Sequence, residues 1–189
     1  MTESSLSYKR EKGLLHALFF TFGFGIMAWV PRFPDVKANL NLSNAAFGSI
    51  LTTGAIGAFT GLLIAGHIVH KIGVRNVLLA STALLYLSFL IIVQVHTPAI
   101  FIVFNILIAF GITSTHVAIN AQGFDIQSRS QENILTSSAG YWSSGALATA
   151  ILSGILVSHI GLALHIGAVA VIAATASFFI IFRFGSALV

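Results

Sequence analysis

Cysteine is absent from this chain, proline occurs three times, and charged residues make up only 7% of its 189 positions. Without cysteine there are no disulfides, no thiolate metal sites and no thiol nucleophile. The shortage of charge is more telling, since ordinary globular chains carry about 25%. Nine basic and five acidic residues cannot cover the surface of a water-soluble body of this size. Apolar residues fill the gap at 57%. The apolar runs are long and continuous, as over 77–95 and 168–182. They lack the alternation over about ten residues that a transmembrane β-barrel shows. The composition therefore predicts an all-α protein of the bilayer. Its basic balance of +4 does not imply nucleic acid, because the charges stand singly at the ends of apolar runs.

A spanning helix needs about 20 mostly apolar residues. Prolines, charges and turn residues divide the chain into six such stretches, at about 13–30, 44–69, 76–95, 99–124, 134–157 and 162–182. A polar lead over 1–12 and a tail over 185–189 flank a bundle at 13–184, with no room for a soluble catalytic domain. Paired prolines in Pro31-Arg32-Phe33-Pro34-Asp35 are expected to stop the first stretch. Ser43 or Asn44 is the expected N-cap of the second. The run His70-Lys71-Ile72-Gly73-Val74-Arg75 reads as a tight connection. A signal peptide is the alternative for the first stretch, but no small-residue cleavage site follows it.

Basic residues set orientation. Lys9, Arg10, Lys12, Lys71, Arg75, Arg129 and Arg183 fall at alternate ends of the stretches, against Arg32 and Lys37 at the others. Seven against two predicts both termini in the cytoplasm, of a bacterial plasma (inner) membrane once the resemblance below is included. The stretches also follow a repeated order. The first and fourth carry aromatic or ionisable groups at depth (Trp29 and Arg32; His116 and Asn120). The second and fifth are rich in small residues, and the third and sixth are plainer. Two inverted three-helix repeats of this kind build transporter halves. Helix packing alone accounts for any single glycine, as in Gly57-x-x-x-Gly61, but not for the order recurring.

The turn after the second stretch, Gly66-His67-Ile68-Val69-His70-Lys71-Ile72-Gly73-Val74-Arg75, resembles the G-x-x-x-D-[RK]-x-G-x-[RK] signature of the major facilitator superfamily. It matches at Gly66, Lys71, Gly73 and Arg75, and His70 replaces the aspartate. Leu42-Ser43 followed by Gly48 resembles the L-S-x-x-x-x-G pattern of that superfamily. Trp29-x-x-Arg32-x-Pro34, Gly73-x-Arg75-Asn76-Val77 and Val117-Ala118-Ile119-Asn120 resemble its bacterial YbjJ-like branch, related to sugar permeases of the fucose type. The resemblance covers the chain as the amino-terminal half of a twelve-helix transporter. It implies alternating access by a small polar, sugar-like solute, coupled to protons as in symport, with no cofactor and no metal. It also implies a partner half, either a second six-helix chain or another copy. His116 stands where that branch tends to carry a glutamate.

Thr113, His116 and Asn120 share a helical face at spacings of three and four. A histidine within a span normally faces a cavity; a neutral histidine bonded to a neighbouring helix is the other possibility. Trp29, Arg32 and Tyr141 complete the expected solute cavity, with Arg32 placed at the water interface and an aromatic belt the commoner explanation of Trp29. Gly66, His70, Lys71, Gly73, Arg75 and Asp125 form the expected cytoplasmic gating loop, Asp125 pairing with Arg129, Lys71 or Arg75. His16, His67, His96, His159 and His165 lie near span ends and carry no expected role. An intramembrane protease also has six spans and an H-x-x-x-N element, but its G-x-S-G motif is missing here, so no enzyme is predicted. The paired asparagine motifs of water channels are missing too. The competing function is a truncated, non-transporting remnant or a membrane interaction subunit.

Overall fold

The computed structural model describes residues 3–130, 132–185 and 188. Helix α1 spans Glu3–Met27, so the polar lead is already helical from Glu3. Nothing in it breaks a helix, and Ser7 Oγ donates 2.9 Å to Glu11 Oε1 one turn on. Helix α1 ends at Met27, ahead of the paired prolines as expected, and helicity resumes at Val30. A 3-10 turn covers Val30–Arg32, and α2 covers Phe33–Asn39, each with proline in its first turn. There a missing N–H is no loss and the fixed φ suits the helix. Helix α3, Asn44–Thr52, is capped by Ser43, whose hydroxyl accepts from the Ala46 amide at 3.2 Å. Helix α4 spans Gly54–Ile92 with one non-helical residue, Gly73, at φ 84° and ψ 156°. The expected connection at 70–75 thus shrinks to a single glycine, in a conformation that residues with a Cβ avoid. Helices α5 (Pro98–Ser128), α6 (Ile134–Leu156) and α7 (Leu162–Phe184) follow.

Contact registers give the directions of these elements. Along α5, rising residue number meets rising number in the first arm of α4: Gly57 lies against Ile106, and Gly61 against Phe110 and Thr113. It meets falling number in the second arm, where Gly111 lies against Leu85 and Thr115 Oγ1 donates 2.8 Å to Ser81 Oγ. The two arms therefore run in opposite directions. Helices α1 and α6 run the same way, matching His16 to Ser137, Gly23 to Trp142 and Ala146, and Arg32 to Ile160. Helix α7 runs against both α1 and the second arm, with Gly25 near Ala173 and Gly167 near Leu90.

Two crossings have the same geometry. A methyl group on Gly57 would fall 2.0 Å from the Ile106 carbonyl oxygen and 2.9 Å from the Phe110 nitrogen. On Gly145 it would fall 2.1 Å from the Phe20 oxygen and 3.0 Å from the Phe24 nitrogen. Only glycine lets two backbones approach this closely.

The core divides between the two ends. One cluster gathers Trp29, Phe47, Phe89, Phe101 and Leu162; the other gathers Leu15, Leu78, Ile119, Ile134 and Ile181. Trp142 packs against both. Large apolar side chains also cover the outside, with Leu63 80% and Phe59 67% exposed. An apolar exterior of this kind belongs in lipid. Among the described residues four helical stretches are long and apolar enough to cross a membrane: Ser7–Asn39, Asn44–Ile92, Pro98–Ser128 and Leu162–Phe184. Helix α6, an expected span, is not among them, because its first three turns carry Thr136, Ser137, Ser138, Tyr141, Ser143 and Ser144.

Candidate functional site

The shared face of Thr113, His116 and Asn120 opens into a cleft of about 500 Å³, closed by Leu62 of the first α4 arm and by Val117, Ala121 and Phe124 of α5. The periodicity of α5 places the three polar groups one above another. The His116 ring is half-buried and packs edge-on against Phe22 at 4.9 Å, with Trp142 at 6.1 Å. No side chain hydrogen-bonds that ring among the described residues. Asn120 Nδ2 donates 2.8 Å to the His116 carbonyl, which anchors its amide along its own helix. A hydroxyl, an imidazole and an amide thus line an otherwise apolar cleft. That set can hold a neutral polyhydroxyl solute through donors and acceptors, and it offers one group able to carry a proton.

Tyr141 lies elsewhere, on α6, stacked on His16 with ring centres 4.3 Å apart. His16 Nε2 lies 3.0 Å from Ser137 Oγ. Sequence reading passed over this cluster because its members are separated by 121 positions and obey no local spacing. The half-exposed Tyr141 and the exposed Ser143 and Ser144 present hydroxyls outward. In a bilayer such groups face water or protein.

Trp29 and Arg32 stand at the other end of α1, away from the cleft. Trp29 is buried in the core, edge-on to Phe33 and Phe89 at 5.6 Å each. Arg32, expected at the water interface, is 2% exposed. Its Nε pairs with Asp35 Oδ2 at 2.8 Å, and its Nη1 donates to the carbonyls of Ile160 (3.0 Å) and Val157 (3.4 Å). The C-terminal end of a helix leaves carbonyls without partners and a negative dipole, and burial of the guanidinium follows from serving both. Arg32 and Asp35 also border an open cleft of about 400 Å³ with Asn39, His159 and Gly161.

The expected gating residues lie at the opposite end. Gly73 makes the turn, His70 and Lys71 are exposed, and Gly66 has open space beside it. The Arg75 guanidinium lies over the Phe182 ring at 5.7 Å. Asp125 pairs with Arg129 at 2.7 Å, and Arg129 also pairs with Glu11 at 2.7 Å. Among the described residues no ion pair reaches Lys71 or Arg75. Donation to Glu11, then to Asp125, raises the Arg129 pKa, and the hydrogen bond from the Lys12 ammonium holds the Glu132 carboxyl below its usual value. Among the described residues no three His, Asp or Glu side chains gather as a metal site.

No known family model matches the chain. Over 129 residues it is 29% identical to an uncharacterized MFS-type transporter of Yersinia pestis, an alignment covering 68% of this chain and 34% of the relative. The matched part is about a third of that relative's length. Over about two thirds of its length the chain is thus similar to a transporter of the major facilitator type.

Proposed function

We propose that this chain is one wall of a major facilitator carrier of the YbjJ-like branch, made of six membrane passes in two inverted three-helix repeats. The observation that carries this reading is the duplicated crossing. Gly57 against Ile106 and Phe110 has the same geometry as Gly145 against Phe20 and Phe24. The local sequences agree, Phe24-Gly25-Ile26 with Phe110-Gly111-Ile112 and Gly57-Ala58 with Gly145-Ala146. The opposed arms at Gly73 supply passes two and three, and α6 supplies the fifth. Its hydroxyl face is then the water-facing side of the wall, which is why it is the least apolar.

Alternating access rocks two such halves around a site near the midplane, so a second half or a second copy completes the carrier. The solute is small, polar and sugar-like. It is held between Thr113, His116 and Asn120, with His116 carrying the coupled proton. Both termini lie in the cytoplasm of a bacterial inner membrane. The test uses proteoliposomes of the whole chain loaded with a pH-sensitive dye and given a panel of hexoses and pentoses. Interior acidification driven by at least one sugar is expected. Silence across the panel, with sugar flux also absent, would remove the reading of a sugar symporter completed by a second copy of this chain.

A further inference from the structure

Three arginines meet at one end of α7 with no carboxylate partner among the described residues. Arg10 Nη2 donates 2.8 Å to the Arg183 carbonyl. The Arg183 guanidinium lies 5.1 Å from the centre of the Phe179 ring, and that of Arg75 lies 5.7 Å from Phe182. Both rings are 59% exposed, so these cations sit on the apolar exterior of the bundle. The Arg75 Nε atom is buried without a hydrogen-bond partner. Beside them, between the second arm of α4 and α7, runs an apolar groove of about 300 Å³ walled by Ala83, Leu87, Leu90, Ala170, Ala174 and Phe178. At 1.5 Å per residue, Ala83 lies about 12 Å along its helix from Arg75, and Phe178 about 8 Å from Arg183. The groove therefore begins about one acyl-chain segment below the arginines.

The geometry points to a binding site for one anionic phospholipid, its phosphate between Arg75 and Arg183 and an acyl chain in the groove. Charge complementarity selects the headgroup. Cations at a membrane boundary attract anionic lipid, and guanidinium forks match phosphate oxygens in pairs. The groove selects a lipid over a soluble phosphate, because its lining is apolar apart from Tyr86 and Thr175 and carries no charge. The site is on the outer side of the second arm and α7, remote from the His116 cleft. It rests on the reading that the chain spans a bilayer, but not on what the chain carries.

The test is native mass spectrometry of the whole chain in mild detergent, offered phosphatidylglycerol, phosphatidylethanolamine and phosphatidylcholine with identical acyl chains. Extraction of the chain from membranes only by detergent checks the spanning reading separately. Wild type is expected to retain phosphatidylglycerol preferentially. The Arg75→Gln/Arg183→Gln pair is expected to lose this preference, a fall on the order of tenfold. The Lys12→Gln/Lys37→Gln pair, which removes the same charge elsewhere, is expected to keep it. Ala174→Phe, which fills the groove, is expected to weaken retention with the arginines intact. Equal retention in wild type and the arginine pair, or equal retention of all three lipids by wild type, would overturn the site. Displacement of the lipid by excess inorganic phosphate would overturn the acyl-chain component.

Discussion

Among the described residues His116 is the one ionisable side chain lining its cleft, and its role separates cleanly by substitution. Glutamine keeps a hydrogen-bonding group but cannot carry a proton; alanine removes both. If the imidazole couples protons, His116→Gln retains downhill exchange of the solute and loses accumulation against a gradient, while His116→Ala loses both. An unchanged pH profile of uptake in both variants would leave the ring a packing residue against Phe22. Arg32 gives a different expectation. Arg32→Met leaves the Ile160 and Val157 carbonyls without their donor and Asp35 without its ion-pair partner, which costs about 1–3 kcal/mol. The midpoint of thermal unfolding in detergent should fall accordingly. Glu132 adds a pH term. Its folded pKa lies below the ordinary value of 4.5, chiefly through the hydrogen bond from Lys12. The pairing therefore stabilises above that value and is lost as pH falls through the lower folded one. Wild type and Glu132→Gln should differ in unfolding midpoint at neutral pH and converge in acid.

At the scale of elements, the glycine crossings are the tightest joints. Gly57→Leu and Gly145→Leu each drive a side chain into a backbone carbonyl, so each variant should lose folded protein in a detergent size-exclusion assay. The effects should be comparable, since the two contacts share one geometry. Gly73→Ala strains a conformation reserved for glycine, at a cost of about 1–3 kcal/mol. These joints were partly legible beforehand. Glycine spacing and the recurring order of polar, small and plain stretches pointed to paired helices, and the basic turn pointed to a reversal near Gly73. The prolines were legible as the end of the first stretch, since α1 stops at Met27, but not as the start of the next helix: in a first turn they begin a helix that mid-helix they would break. The Arg32 cap and the His16–Ser137–Tyr141 cluster stayed hidden for another reason. Each joins residues more than 100 positions apart, and no periodicity records which helix will lie beside which.

At the scale of the molecule, basic groups collect at one end. Arg10 meets the end of α7, Lys12 pairs with Glu132 before α6, Arg129 follows α5, and Arg75 follows the Gly73 turn. Arg32 and Lys37 hold the other end. The lack of native cysteine makes the expected orientation simple to measure. Lys37→Cys should react with an impermeant maleimide in intact cells, and Ser128→Cys only after permeabilisation. The reverse pattern would invert the topology.

The hydroxyl-lined first half of α6 carries one more consequence, for biogenesis. A segment this wet partitions weakly into hydrocarbon by itself, so its residence in lipid depends on the neighbour that shields it. Part of that neighbour is α1, made more than 100 residues earlier and packed along Ser137, Trp142 and Gly145, so stable insertion of α6 is expected to wait on docking against a segment already made.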